Sequence, residues 1–284
     1  MDLSQECPRN EAWEALQNST VAAFGITLQG ASHKRSTPPA PCQDYHAMHW
    51  MEDEGIFLAA IADGVGCCKL SHWGAYTAVN AALESTREAL SQLSGGKILP
   101  LDAKNVDFRK QIKEVMVSAF RAAQEAVERL ADEAEPPQMV FSMQSTLTLA
   151  IYDGQCLYHG HAGDDGIVAQ LPDGTVERAT RRMKGEEASS VFPLQSGERA
   201  WSFGLVPEVA GFVMATDGVL RGLGIMRPFL IANMVNLAIR MSVALIFAPR
   251  FGIAFVWLAV PAGWFANFLI SYIALRKSWP LRDM

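Results

Sequence analysis

Acidic residues recur at the ends of apolar runs, where several could share one cation. Asp44 follows a loop, Asp63 closes one apolar run, and Asp217 closes another. The pair Asp164-Asp165 follows Gly163 at the end of a further run. Strands of a single sheet bring their ends together, so carboxylates remote in sequence can converge. Gathered carboxylates repel, and a hard divalent cation is the usual relief. Glycine follows both Asp63 and Asp217, which permits a sharp backbone turn and can leave a carbonyl facing an ion. Taken singly, an Asp-Gly pair is more often a plain turn. Asp153-Gly154 and Asp173-Gly174, each between alternating runs, are assigned to turns.

The elements that must position these residues can be read from periodicity. Val21 to Gln29 reads as a short strand, and Ile56 to Ala62 (IFLAAIA) as a buried one. From His72 to Leu93 the spacing becomes helical, with Ala75, Ala78, Val79, Ala82 and Leu83 on one face. A second helix is expected from about Val106 to Asp132, with Phe108, Ile112, Val115, Ala119, Ala122, Ala126 and Leu130 along its apolar stripe. After Pro136-Pro137 the period falls to two. Ser145 to Tyr152 and Cys156 to His161 form one predicted hairpin; Ile167 to Leu171 and Thr175 to Arg178 form another. Phe212 to Thr216 is a last strand. Strands, two long helices and then an antiparallel meander predict an α+β layered domain.

The average composition conceals a division. The chain has 284 residues, 50% of them apolar, and a net charge of -6, which argues against a general nucleic-acid binder. From Arg221 onward the charge is +6, so residues 1–220 carry -12. Five cysteines (Cys7, Cys42, Cys67, Cys68 and Cys156) show no zinc-ribbon or disulfide spacing, and reduced thiols in the cytosol are the economical reading. Residues 228–248 and 251–275 are apolar but for a few polar positions. Each reaches the roughly 20 residues that a bilayer core requires of a helix. A transmembrane helical hairpin through 228–275 is therefore expected, with Arg221 and Arg227 before it and Arg276, Lys277 and Arg282 after it on the cytoplasmic side. Arg240 is its weak point, since a charge at mid-bilayer costs on the order of 3 kcal/mol. A buried helical pair is the alternative for these lengths. The first residues carry no basic start with an apolar run, so no signal peptide is expected and the domain before the hairpin should lie in the cytosol.

Read together, a series of short motifs is more specific than any of its parts. It runs Gly30-Ala31-Ser32-His33, Pro41-Cys42-Gln43-Asp44, Ala62-Asp63-Gly64-Val65-Gly66, then Ser71 with Gly74-Ala75. It continues with Ser145-Thr146-Leu147, Gly163-Asp164-Asp165-Gly166 and Ala215-Thr216-Asp217-Gly218. Over about residues 20–219 this resembles the PPM-type (type 2C-like) metal-dependent serine/threonine protein phosphatases, bacterial branch. The resemblance implies a layered β-sandwich of antiparallel sheets flanked by helices, two Mn²⁺ or Mg²⁺ ions, and phosphorylated protein as substrate. It implies that Asp63 bridges both ions, that the Gly64 carbonyl and Asp44 support one, and that Asp217 holds the other. Two cations about 4 Å apart lower the pKa of a water and neutralise phosphate charge, so no cysteine or serine nucleophile is needed. Cys67 and Cys68 are accordingly read as incidental. His33 and Lys34 stand where the family has a phosphate-facing or acid-supplying residue; a solvated loop is the other reading. Asp164 is expected to stabilise the strand junction rather than bind the main ions, and His159 and His161 are not expected to be ligands.

The chain departs from that pattern after Val219, where the family continues to a late aspartate and this sequence enters its apolar tail. Over about residues 217–280 the tail is similar to the last two helices of multidrug and toxic compound extrusion (MATE) transporters. The motifs are Gly218-Val219-Leu220-Arg221-Gly222, Phe251-Gly252-Ile253, Val256-Trp257, Pro261 and Gly263-Trp264. Three parts follow: an N-terminal extension (1–19), a phosphatase-like domain lacking its closing segment (20–219), and the hairpin with its basic tail (220–284). The expected activity is hydrolysis of phosphoproteins by a domain tethered to the cytoplasmic membrane. An inactive phosphatase-like binding module, or a fusion or truncation product carrying an antiporter fragment, are the alternatives.

Overall fold

The computed structural model describes residue 3 and residues 12–37, 39–180 and 191–216. The chain divides into two units, Met1–Val219 and Leu220–Met284, and all described residues belong to the first. Its elements in order are β1 (Ala12–Gln17), β2 (Ala22–Thr27), α1 (Ala31–Arg35), β3 (Tyr45–Met51), β4 (Ile56–Ala62), α2 (Ser71–Ser94) and α3 (Val106–Glu133). There follow β5 (Leu147–Tyr152), β6 (Leu157–Ala162), β7 (Gly166–Gln170), β8 (Val176–Arg178), β9 (Ser202–Val206) and β10 (Gly211–Ala215).

The continuous apolar run of β4 becomes an inner strand of a five-stranded antiparallel sheet ordered β3-β4-β5-β6-β9. Such a run has no polar face because both faces are covered. One face of the sheet packs on α2 and α3, through Leu58, Ala60, Leu149, Ile151 and Tyr158 against Val79, Met116 and Phe120. The other buries Phe57, Ala59, Ala150, Tyr152 and Leu157 against Ile167 and Ala169 of β7. That second layer is not one sheet. It consists of a β1-β2 ribbon and a separate β10-β7-β8 sheet, both antiparallel.

The two long helices form where the spacing predicts. Asn105 caps α3, its Oδ1 accepting from the backbone N–H of Asp107 (3.0 Å) and Phe108 (3.1 Å). A cap of this kind contributes about 1 kcal/mol. Ile112, Met116, Ala119, Phe120, Ala123, Val127 and Ala131 then recur at three- and four-residue spacing on its buried face. The end of α2 is set by Gly95, whose N–H donates to the Ser91 carbonyl at 3.1 Å.

Three strands were not legible as such. Residues 12–17, inside the expected N-terminal extension, form β1 and pair along their length with β2. Leu16 and Ala23 pack inward, but the outward side chains, Trp13 with Phe24 and Ile26 of β2, are apolar as well and exposed, so the sequence does not alternate between an apolar and a polar face. β3 interrupts its apolar residues with two histidines, and β9 contains Gly204, which the His159 ring packs against. Among the described residues the two long helices, α2 and α3, both pack on the same face of the five-stranded sheet. No described helix is long and apolar enough to cross a membrane; the expected hairpin through 228–275 lies outside the described residues.

Candidate metal centre

Sheet register gathers the predicted carboxylates. Tyr45 pairs with Ala62, Ile61 with Thr148, and Leu147 with Ala162, so the ends of β3, β4, β5 and β6 lie in one row. The next residue on each strand is Asp44, Asp63, Thr146 and Gly163. On the second layer Gly166 pairs with Ala215, which leaves Asp165 and Thr216 just beyond that pair. Carboxylates from three chain segments, Asp44, Asp63 and Asp164-Asp165, are thereby delivered towards one end of the sheets by strand pairing.

Asp44 and Asp63 are in side-chain hydrogen-bond contact, and both are partly buried. Burial pushes the Asp63 carboxyl well above its ordinary value of 3.8, and the negative charges of Asp44, Asp165 and Asp164 push it further. Asp44 is also raised, by burial, against the opposing effects of its hydrogen bond to Asp63 and the nearby His33. Two carboxyl groups can share a hydrogen bond only if one holds a proton, so this pair resists full ionisation without a counter-charge. Oxygen donors in such a setting suit a hard dication. The described part of the expected set fits that group.

The sharp turn expected at Gly64 is not what the backbone makes there. Gly64 is not among the glycines with positive φ; it sits in an extended β-bridge opposite Ser145. Glycine is required there by space, because a Cβ would come within 2.8 Å of the Gln43 carbonyl oxygen and the Ser71 side chain. The same contacts fix the loop: the Gly64 N–H donates to the Gln43 carbonyl at 3.0 Å, and Gln43 Nε2 donates to Ser71 Oγ at 2.8 Å. Asp63 is held equally firmly. Its N–H donates to Thr146 Oγ1 at 2.7 Å, while the Thr146 N–H donates to the Asp63 carbonyl at 2.8 Å. Thr146 Oγ1 donates in turn to the Asp165 carboxylate.

Other predicted residues distribute unevenly. His33 lies on α1, its Nδ1 2.9 Å from the Pro41 carbonyl, close enough for its charge to act on Asp44. Lys34 is exposed on the same short helix. Asp217 lies outside the described residues. Among the described residues no group of three or more His, Cys, Asp or Glu side chains is arranged to hold a metal ion; of the expected set, Asp44, Asp63 and Gly64 are the described members. Asp164 and Asp165 are buried beside them. His159 and His161 are buried, and both belong to the β6 row that includes Leu157, which packs into the sandwich interior. Cys67 is exposed and Cys68 buried, its thiol pushed up to about 11 by burial and by Cys67, which makes it a poor nucleophile. Thr146 and Gln43 stood within the quoted motifs, but their bonding roles depend on contacts that no spacing reveals.

The sequence matches the family described as Protein phosphatase 2C over residues 29–240. Among solved structures it is similar to the S. agalactiae serine/threonine phosphatase, at 13% identity over 89% of this chain and 94% of that one, with a TM-score of 0.46. The catalytic domain of the serine threonine protein phosphatase PstP, in complex with two manganese ions, is 18% identical over 78% of this chain and 92% of that one, with a TM-score of 0.37. RsbX in complex with magnesium is 11% identical over 73% and 79%, with a TM-score of 0.45. No curated protein matches. These matches give no support to the MATE resemblance of residues 217–280, which also falls outside the described residues. The family match spans most of the chain and contains Asp44, Asp63, Thr146, Asp164 and Asp165. The chain belongs to the protein phosphatase 2C family of serine/threonine phosphatases.

Proposed function

We propose that this chain hydrolyses phosphoserine and phosphothreonine in protein substrates, with Asp44, Asp63, the Gly64 carbonyl and Asp217 holding two Mn²⁺ or Mg²⁺ ions. The observation that carries the reading is the contacting Asp44–Asp63 pair, whose ionisation is resisted by burial and by neighbouring acids. Two dications bound there would activate a water for attack and neutralise phosphate charge. Asp63 contributes position, because Thr146 fixes its backbone on both sides. Its carboxylate, paired with that of Asp44, contributes the charge that selects a dication over a monovalent ion. His33 carries its proton on Nδ1 towards the Pro41 carbonyl. That tautomer leaves Nε2 to hold or release a proton towards the leaving alkoxide, and Lys34 beside it adds positive charge for the phosphate.

The test is hydrolysis of a phosphothreonine peptide and of p-nitrophenyl phosphate by the full chain. Turnover should require added Mn²⁺ and disappear in Asp63→Ala. Undiminished turnover in excess chelator, or in Asp63→Ala, contradicts the reading. Phosphopeptide binding without turnover assigns the chain to an inactive binding module instead. We further propose that residues 228–275 tether the domain to the cytoplasmic face of a membrane, on the strength of their apolar length and flanking arginines. Recovery of the full chain in the soluble fraction after lysis excludes tethering.

A further inference from the structure

We propose that Asp165, acting through the Thr146 hydroxyl, is a positioning residue for Asp63, so that the two form a relay that sets the affinity of the metal centre. The inference rests on the metal-centre reading above. Its geometry is a chain of contacts across three strand ends. The Asp63 N–H donates to Thr146 Oγ1 at 2.7 Å, and the same hydroxyl donates its one proton to Asp165 Oδ2. A threonine hydroxyl has a single proton and two acceptor sites. The same hydroxyl also lies 3.4 Å from the Asp63 carbonyl oxygen, a far longer contact than the one to Asp165, so the proton goes to Asp165 and a lone pair is aimed at the Asp63 amide. The Thr146 N–H closes the ring by donating to the Asp63 carbonyl at 2.8 Å. Thr146 is 2% exposed and Asp165 0% exposed, so water does not compete for these bonds.

The consequence is a fixed peptide on one side of the Asp63 carboxylate, while the Gly64–Ser145 bridge fixes the other. The carboxylate then rotates about its own side-chain bonds only. Asp165 also adds negative charge near Asp63, which favours a cation there. Partners one step behind a metal ligand characteristically change affinity by 10–100-fold when removed.

The experiment is Mn²⁺ binding to the full chain by calorimetry, alongside turnover as a function of Mn²⁺. Thr146→Val should weaken Mn²⁺ binding by about 10–100-fold, and Thr146→Ser should restore it to within about threefold. Turnover of Thr146→Val at saturating Mn²⁺ should return towards that of the unmodified protein. A merely structural role would lower the folded fraction without moving the Mn²⁺ requirement of the folded molecules. The combined loss in Thr146→Val with Asp165→Ala should be smaller than the product of the single losses by about threefold or more, because one bond is removed twice. Should Thr146→Val not fold, Asp165→Asn, which keeps an acceptor for the hydroxyl, should bind Mn²⁺ about threefold or more tighter than Asp165→Ala. An unchanged affinity in Thr146→Val, simple multiplication of the losses, or equal affinity in the two Asp165 variants overturns the relay. If the unmodified chain takes up no Mn²⁺, the metal-centre reading falls and the relay with it. Binding by the unmodified chain with no effect of Thr146 sinks the relay alone.

Discussion

Replacing Asp63 by asparagine should make the metal-free protein more stable while abolishing its affinity for Mn²⁺. Asp63 touches Asp44 and lies within range of Asp164 and Asp165, and its carboxyl is raised well above 3.8. Two ionised carboxylates about 4 Å apart repel by about 4 kcal/mol at an effective dielectric constant of 20. Protonation of one partner limits the penalty actually present at neutral pH, so the expected gain for Asp63→Asn is about 1–3 kcal/mol. The asparagine amide can donate to Asp44 and keeps the hydrogen bond without the charge. For a domain of this size each kcal/mol moves the melting temperature by about 2–4 °C, which gives a rise of about 2–12 °C. The sign with pH follows from the raised carboxyl. In the unmodified protein the folded state holds the proton more tightly than the unfolded state, so stability falls as pH climbs from 3.8 through the folded value. The advantage of Asp63→Asn should therefore grow over that rise and shrink towards acid. Melting curves in chelator from pH 4 to 8 make the measurement. A lower melting temperature for Asp63→Asn at neutral pH, or an advantage that grows towards acid, refutes the reasoning.

Three further outcomes follow from His159, Gly74 and the Cys67-Cys68 pair. His159 is buried and its imidazole is pushed down to about 4 by burial and by His161. Its contribution is present above the ordinary value of 6.5 and is lost as pH falls towards 4. Against His159→Gln in chelator, the unmodified protein should therefore lose on the order of 3 kcal/mol between pH 7 and pH 4; a constant difference across that range counts against it. Gly74→Ala puts a Cβ 1.9 Å from the Met143 carbonyl oxygen, a backbone atom on the segment leading to Thr146. A loss of about 1–3 kcal/mol or more is expected in denaturant unfolding, and an unchanged midpoint is not compatible with the contact. Cys67→Ser with Cys68→Ala should retain Mn²⁺-dependent turnover within about threefold, whereas a loss on the scale of a removed nucleophile makes a thiol part of the chemistry.

Sequence and structure agree where burial imposes a period. Ile56 to Ala62 was legible to the residue as β4 because both faces of that strand are covered. The stripe of α2 was legible because the helix has one dry face; of the expected α3 stripe only Ile112 and Ala119 are buried, and Met116, Phe120, Ala123, Val127 and Ala131 take the dry face in place of Phe108, Val115, Ala122, Ala126 and Leu130. β1 escaped because its outward side chains, Trp13 among them, are exposed and AWEALQ carries no strong strand preference. The convergence of Asp44 and Asp63 could be anticipated, since both lie beside strand ends. Thr146 and Asp165 could not be joined from spacing. Their contact depends on β5 and β6 pairing in one register, with Leu147 opposite Ala162, a relation set by the whole sheet. Gly64 shows the converse case. The expected residue is in place, but crowding by Gln43 and Ser71 requires it rather than a turn.

The central claim is that acids from separate strand ends form a dication site, and Mn²⁺ titration of the chelator-treated full chain tests it most directly. Saturable uptake of two ions per chain is expected, with binding lost in Asp63→Asn and the folded state retained. A folded unmodified chain that takes up no Mn²⁺, or an Asp63→Asn chain that binds as well as the original, contradicts the account.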